Sequence, residues 1–158
     1  MKSHIAAALL SFALAGGAQA ASPDAAITKT VMTFADTFNR GDIKGAAATH
    51  NPAGTVIIDD VAPFIWRGRS AFADWMRDLG AYDQKAGITD EHVVFLPPTR
   101  IEHDATRAYA VVPTVYTYRQ HGTAMRSRAQ ITLALEKGPA GWLIDGWTWT
   151  GPRETPVK

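Results

Sequence analysis

Hydrophobic positions follow two rhythms along this chain. Up to residue 79 they recur at steps of three and four, and from residue 92 they alternate. Ile27, Val31, Phe34 and Phe38 stand at steps of 4, 3 and 4, which places one apolar stripe on a helix. Ser22-Pro23-Asp24 precedes that stripe as a hydroxyl cap, a first-turn proline and an acid at the positive helix end. Asn39-Arg40-Gly41 closes it. Asp42 caps a short second helix to about residue 49, and His50-Asn51-Pro52 breaks it. From Ser70 a third helix carries Phe72, Trp75, Met76 and Leu79 on one face, with Gly80 as its stop.

Short apolar runs at 54–58 and 63–66 lie between the second and third helices and predict two strands. After Glu91 the character is β throughout, with strands at 92–96, 100–103, 107–119, 124–137 and 142–150. The fourth of the long runs alternates cleanly. Met125, Ser127, Ala129, Ile131, Leu133 and Leu135 face one way, and Arg126, Arg128, Gln130, Thr132 and Glu136 the other. Pro113 within 107–119 predicts a bend or bulge. In 142–150, Trp142 and Ile144 form the core face, opposite Asp145, Trp147 and Trp149, which line either the pocket or a dimer surface. Helices grouped ahead of an antiparallel meander make an α+β domain with the helices on one face of the sheet. It spans residues 21–151, and 152–158 read as a disordered tail.

Residues 1–20 stand apart. Met1-Lys2-Ser3-His4 is positive, residues 5–15 are almost wholly apolar, and Ala18-Gln19-Ala20 is a small-x-small cleavage site. That is the layout of a secretory signal peptide, with an apolar run far short of the ~20 residues a spanning helix needs. Cleavage after Ala20 leaves 158 − 20 = 138 residues, destined for the periplasm or secretion, with no later membrane span.

Charge and cysteine content narrow the chemistry. The 16 basic and 15 acidic residues give +1, and loss of Lys2 brings this to zero, which excludes the basic footprint of a nucleic-acid binder. With no cysteine, thiol nucleophiles, disulfides and cysteine-built metal centres are excluded. His50, His92, His103 and His121 show no metal-ligand spacing, so no metal is expected. There is no phosphate loop, dinucleotide fingerprint or Gly-x-Ser-x-Gly elbow, and no cofactor is expected.

Several segments together resemble a known family. A long helix ends Phe38-Asn39-Arg40-Gly41-Asp42, and a short alanine-rich helix follows. A strand then ends Ile58-Asp59-Asp60, Trp66-Arg67-Gly68 leads into a helix, and long strands close on Gly141-Trp142-Leu143-Ile144. This order is similar to the SnoaL-like branch of the nuclear transport factor 2-like superfamily. The resemblance implies a cone: three N-terminal helices packed on a strongly curved, mostly antiparallel sheet, with a pocket at the open end and homodimers through the sheet. In ketosteroid isomerase-like members a catalytic aspartate lies near the Asp59-Asp60 region.

Asp59 and Asp60 are the candidates for a general base, since a carboxyl in an apolar pocket has a raised pKa. Alternation sends them to opposite faces, Asp59 with Thr55 and Ile57, Asp60 with Val56 and Ile58. Tyr116 or Trp66 is the candidate hydrogen-bond donor to a developing oxyanion. Trp66, Tyr118 and Trp147 suit an apolar ligand, and Arg128 or Asp145 an orienting polar contact. Three functions fit. The first is an exported protein binding a small apolar or aromatic ligand. The second is a cofactor-free isomerase, hydrolase or cyclase with an aspartate base, and the third a homodimeric interaction domain.

Overall fold

The computed structural model describes residues 22–157, and the signal-peptide reading lies outside them. The domain is α+β, with a curved mixed sheet of eight strands. Helices α1 (Pro23–Asn39) and α2 (Ile43–Ala48) come first, then strands β1 (Thr55–Ile58) and β2 (Ile65–Gly68), then α3 (Ala71–Ala86). The remaining chain is β3 (Ile88–Phe95), β4 (Arg100–His103), β5 (Arg107–Gln120), β6 (Thr123–Gly138), β7 (Gly141–Thr150) and β8 (Thr155–Pro156). The main path across the sheet is β2-β1-β7-β6-β5-β3, with β4 on β5 and β8 on β6. All pairs are antiparallel except β1 with β7.

The N-terminal caps form as the sequence predicts. Ser22 Oγ accepts from the Ala25 amide at 3.3 Å with Pro23 at the first turn, and Asp42 Oδ1 accepts from the Gly45 amide at 2.9 Å. Ile27, Val31 and Phe34 are buried against the inner sheet face, where Val112, Ile131, Leu133, Leu135 and Ile144 complete the core. Asn39 locks the end of α1 to β3, donating to the Val93 carbonyl at 2.7 Å and accepting from the Val93 amide at 3.0 Å.

Five expectations need correction. Gly80 does not end α3, which runs to Ala86 and stops at Gly87, a left-handed residue with φ 66°. A lone glycine costs a helix only about 1 kcal/mol, and a stripe continuing beyond Leu79 outweighs that. Pro113 causes no register shift on β6, where it pairs with Gln130. Its missing N–H falls on the side where β5 changes partner from β3 to β4, so no ladder bond is lost. The second strand is displaced toward the C-terminus of the predicted 63–66, because Phe64 closes a tight turn onto the Val61 carbonyl at 2.8 Å. Within the predicted tail 152–158, Thr155–Pro156 form a strand. β7 covers β6 only from Gln130 onward, and Thr155–Pro156 pair with Arg126 and Met125 on the open edge.

The fifth correction moves the tryptophans. On β7, Leu135 pairs with Ile144 but Ala134 pairs with Gly146, so Asp145 is an extra, bulged residue. One extra residue reverses the alternation. Trp142, Ile144, Trp147 and Trp149 therefore share the inner face, opposite Lys137, Leu135, Leu133 and Ile131. Gly146 lets β1 approach this bulge, since a Cβ there would stand 2.9 Å from the Val56 carbonyl oxygen.

Candidate functional site

A cavity opens between α1, α3 and the inner sheet face, leaving about 110 Å³ in which the centre of a water molecule can sit. Phe34 and Phe38 from α1, Trp75 and Leu79 from α3, Val93 and Phe95 from β3, and Trp147 and Trp149 from β7 supply its apolar wall. The polar groups reaching it are Asp59, Asp60, Tyr82, Asp83, Glu91, Tyr116, Tyr118 and Glu154.

Asp59 sits just past β1, on the same side as buried Thr55 and Ile57. Trp75 Nε1 donates to its Oδ2 at 2.8 Å, and the Asp60 amide donates to its Oδ1 at 2.9 Å. Both donors favour the charged form, yet burial outweighs them and pushes the carboxyl up to about 6 from an ordinary 3.8. Asp60 is exposed and lies at the rim. Alternation thus gives Asp59 the inward place.

Across the cavity a second acidic group depends on another bulge. Thr89 pairs with Arg119 and His92 with Thr117, so Asp90 and Glu91 both oppose Tyr118. Asp90 takes φ 57°, and the extra residue puts Glu91 on the inner side with Val93 and Phe95. The Tyr116 hydroxyl donates to Glu91 Oε1. Burial, that bond and the Glu91 charge hold the phenol well above its usual range. Tyr118 packs on Tyr116 at 5.0 Å between ring centres, and burial pushes its hydroxyl up to about 12. Asp83, one α3 turn past Leu79, is pushed up to about 7 by burial and by the neighbouring Glu91 carboxylate. Its Oδ1 is buried with no hydrogen-bond partner among the described residues.

Beneath the cavity, Trp147 donates from Nε1 to His50 Nε2 at 3.1 Å, while His50 Nδ1 lies 3.0 Å from the Ala46 carbonyl. That pairing assigns a neutral imidazole protonated on Nδ1. Burial lowers His50 to about 4. The Trp147 ring meets Trp75 edge-on at 5.0 Å, and Trp75 stacks on Phe38 at 5.7 Å.

Of the residues singled out from sequence, Asp59, Asp60, Tyr116, Tyr118 and Trp147 line the cavity, and Trp66, Arg128 and Asp145 do not. Trp66 is buried and donates to Asp78 Oδ2 at 2.8 Å, tying β2 to α3. Arg128 is on the outer face beside β8. Asp145, turned out by its bulge, accepts from Asn51 at 3.1 Å and lies 3.6 Å from Arg107. Tyr116 reaches the cavity, but its proton is committed to Glu91 rather than free for an oxyanion. Sequence reading missed Trp75 as a donor, Asp83 and Glu91. Asp83 had a usable signal, a carboxylate continuing the Phe72–Trp75–Leu79 stripe.

No family model and no curated protein matches the sequence. Solved structures do match its shape. Hexachlorocyclohexane dehydrochlorinase LinA-type3 from Novosphingobium barchaimii superposes with TM-score 0.71 at 12% identity, covering 84% of this chain and 88% of that one. A ketosteroid isomerase-like protein from Erwinia carotovora atroseptica gives 0.63 at 19%, covering 82% and 95%. An NTF2-like protein with a cystatin-like fold from Novosphingobium aromaticivorans gives 0.62 at 16%, covering 78% of each. The helix-over-curved-sheet arrangement and these superpositions agree: this chain has the nuclear transport factor 2-like fold.

Proposed function

We propose that the protein binds a small apolar or aromatic molecule in the cavity and moves a proton on it without a cofactor, with Asp59 as the base. One observation carries the reading. The Asp59 carboxylate is at the wall of an aromatic cavity, with one fixed donor on each oxygen. Those donors hold the carboxylate in place, and burial brings its pKa to about 6, near the pH at which it must accept a proton. Asp83, raised to about 7, is placed to hold the proton that returns to product. A dehydrochlorinase on the same fold supports an enzymatic reading.

Deuterium exchange tests this across many candidate substrates at once. The protein is incubated in D₂O with a panel of small apolar carbonyl compounds, and label uptake at carbon is read by mass spectrometry. Asp59→Asn is expected to lower uptake by ~10²–10⁴. Equal uptake by both proteins removes Asp59 as the base.

Binding without turnover is the second reading. The Tyr116 proton is committed to Glu91, which leaves a developing oxyanion without the phenol as donor. Tight binding by a molecule that never acquires label favours it. Export with cleavage after Ala20 and pairing of two copies through the sheet belong to the proposal as well. N-terminal sequencing of the cellular protein and sedimentation equilibrium test them.

A further inference from the structure

We propose that the ligand of this cavity is an organic cation, an amine or quaternary ammonium head on an apolar or aromatic body. The inference rests on the cavity reading above and names the chemical class it selects.

Charge distribution is the first argument. The whole chain is nearly neutral, at +1, yet five of its fifteen acidic residues line this one cavity. They are Asp59, Asp60, Asp83, Glu91 and Glu154, contributed by the end of β1, α3, β3 and the segment before β8. Among the described residues no lysine, arginine or histidine lines the cavity, and none of the five acids is in an ion pair. The surface arginines find acids elsewhere: Arg77 with Asp74 and Asp78, Arg107 with Glu136, Arg119 with Asp90. A cleft walled by one sign of charge and by low-dielectric rings focuses its field on an incoming ion of the opposite sign.

The apolar wall is the second argument. Trp75, Trp147 and Trp149 present indoles to the cavity, and indole faces attract cations more strongly than any other side-chain ring, by about 0.5–2 kcal/mol each. An anion meets the carboxylates. A neutral ligand leaves the acids facing one another. Asp59 and Asp83 already stand pushed toward their neutral forms by burial and, for Asp83, by Glu91, and a bound cation relieves that repulsion.

The spread of the acids separates an organic from an inorganic ion. Among the described residues no three acidic or histidine side chains close on a common point as a metal ion requires. The charge lies around the wall, which suits a diffuse ammonium.

Three probes of one shape test the charge selection: phenethylammonium, 2-phenylethanol and phenylacetate, titrated into the intact protein while the indole N–H resonances are followed by NMR. Phenethylammonium is expected to bind at least ~10-fold more tightly than the alcohol, and phenylacetate more weakly still. Equal or tighter binding of the alcohol or the acid overturns the inference and leaves the cavity reading standing. Silence from all three removes both. Glu154→Gln, at the half-buried rim, is expected to weaken phenethylammonium by ~3-fold or more, with a smaller effect on the alcohol. Equal loss for both probes marks a packing defect and counts against charge selection.

Discussion

Two neighbouring tryptophans make the same hydrogen bond to two groups with opposite consequences. Trp147 donates to His50 and Trp75 donates to Asp59, and the two indoles touch edge to face. Burial drives both acceptors toward neutrality, His50 down to about 4 and Asp59 up to about 6. For the imidazole, neutrality is the resting condition at working pH, so the pair behaves as inert core. For the carboxyl the same push brings the titration close to working pH, where losing and gaining a proton are both easy. One physical cause makes a structural contact at the closed end of the core and a reactive one at the open end.

The sharpest way to break this comparison is Asp59→Asn. It keeps the shape and is expected to abolish proton exchange by ~10²–10⁴ while the urea midpoint stays level or rises, because a buried carboxyl is gone. A fold that collapses instead places Asp59 with the structural pair. His50→Ala is the reciprocal change. It leaves the Trp147 N–H without a partner and opens a void, while the Ala46 carbonyl keeps its Thr49 donors, with an expected loss of about 3 kcal/mol in urea unfolding.

Acidification reads both groups at once. His50 has a lower pKa folded than unfolded, so its contribution to stability is lost as pH falls from 6.5 toward 4. Asp59 has a higher pKa folded than unfolded. Its contribution is full below 3.8 and is lost as pH rises through about 6. The two slopes oppose each other between about 4 and 6, with Asp83 acting in the same sense as Asp59. Asp59→Asn is therefore expected to lose stability more steeply than wild type as the pH is lowered through that window, measured by urea midpoints at half-unit steps.

Smaller effects separate the indoles. Trp75→Phe removes a donor that favours the charged carboxylate, so Asp59 is expected to titrate above 6 by carboxyl-carbon NMR. Trp147→Phe is expected to cost about 1 kcal/mol and leave that titration in place. Least of all, Arg128→Ala on the outer face is expected to change ligand affinity and stability by less than about 0.5 kcal/mol.

The legible parts of this fold were those governed by local chemistry. The Ser22-Pro23-Asp24 start, the Asp42 cap and the Ile27–Val31–Phe34 stripe depend on neighbours three or four residues away, and they formed as read. Alternation along β6 also held, because that strand pairs continuously with β5. Alternation failed wherever a single residue was inserted. At Asp145 it brought Trp147 and Trp149 onto the face of Trp142 and Ile144, and at Asp90-Glu91 it turned inward an acid that a strand starting at residue 92 leaves out. Neither bulge has a local signature in the sequence, since each is set by the register of a partner strand distant along the chain. Asp83 was lost for a different reason: Gly80 weighs on helix propensity, and tertiary packing along α3 overrides it.

The Asp145 bulge works like a letter skipped in reading. Because Asp145 is looped out of the pairing, every side chain of β7 after it keeps the address, inside or outside, that a strand without it would give. Deleting Asp145 closes the bulge and leaves Trp147 opposite Leu133 and Trp149 opposite Ile131 on the inner face, whereas drawing it into the ladder would put Gly146 and Thr148 there instead. Loss of a residue is therefore absorbed at the bulge and costly further along the strand, where every residue is paired. β7 can change length at residue 145 without readdressing the tryptophans that wall the cavity.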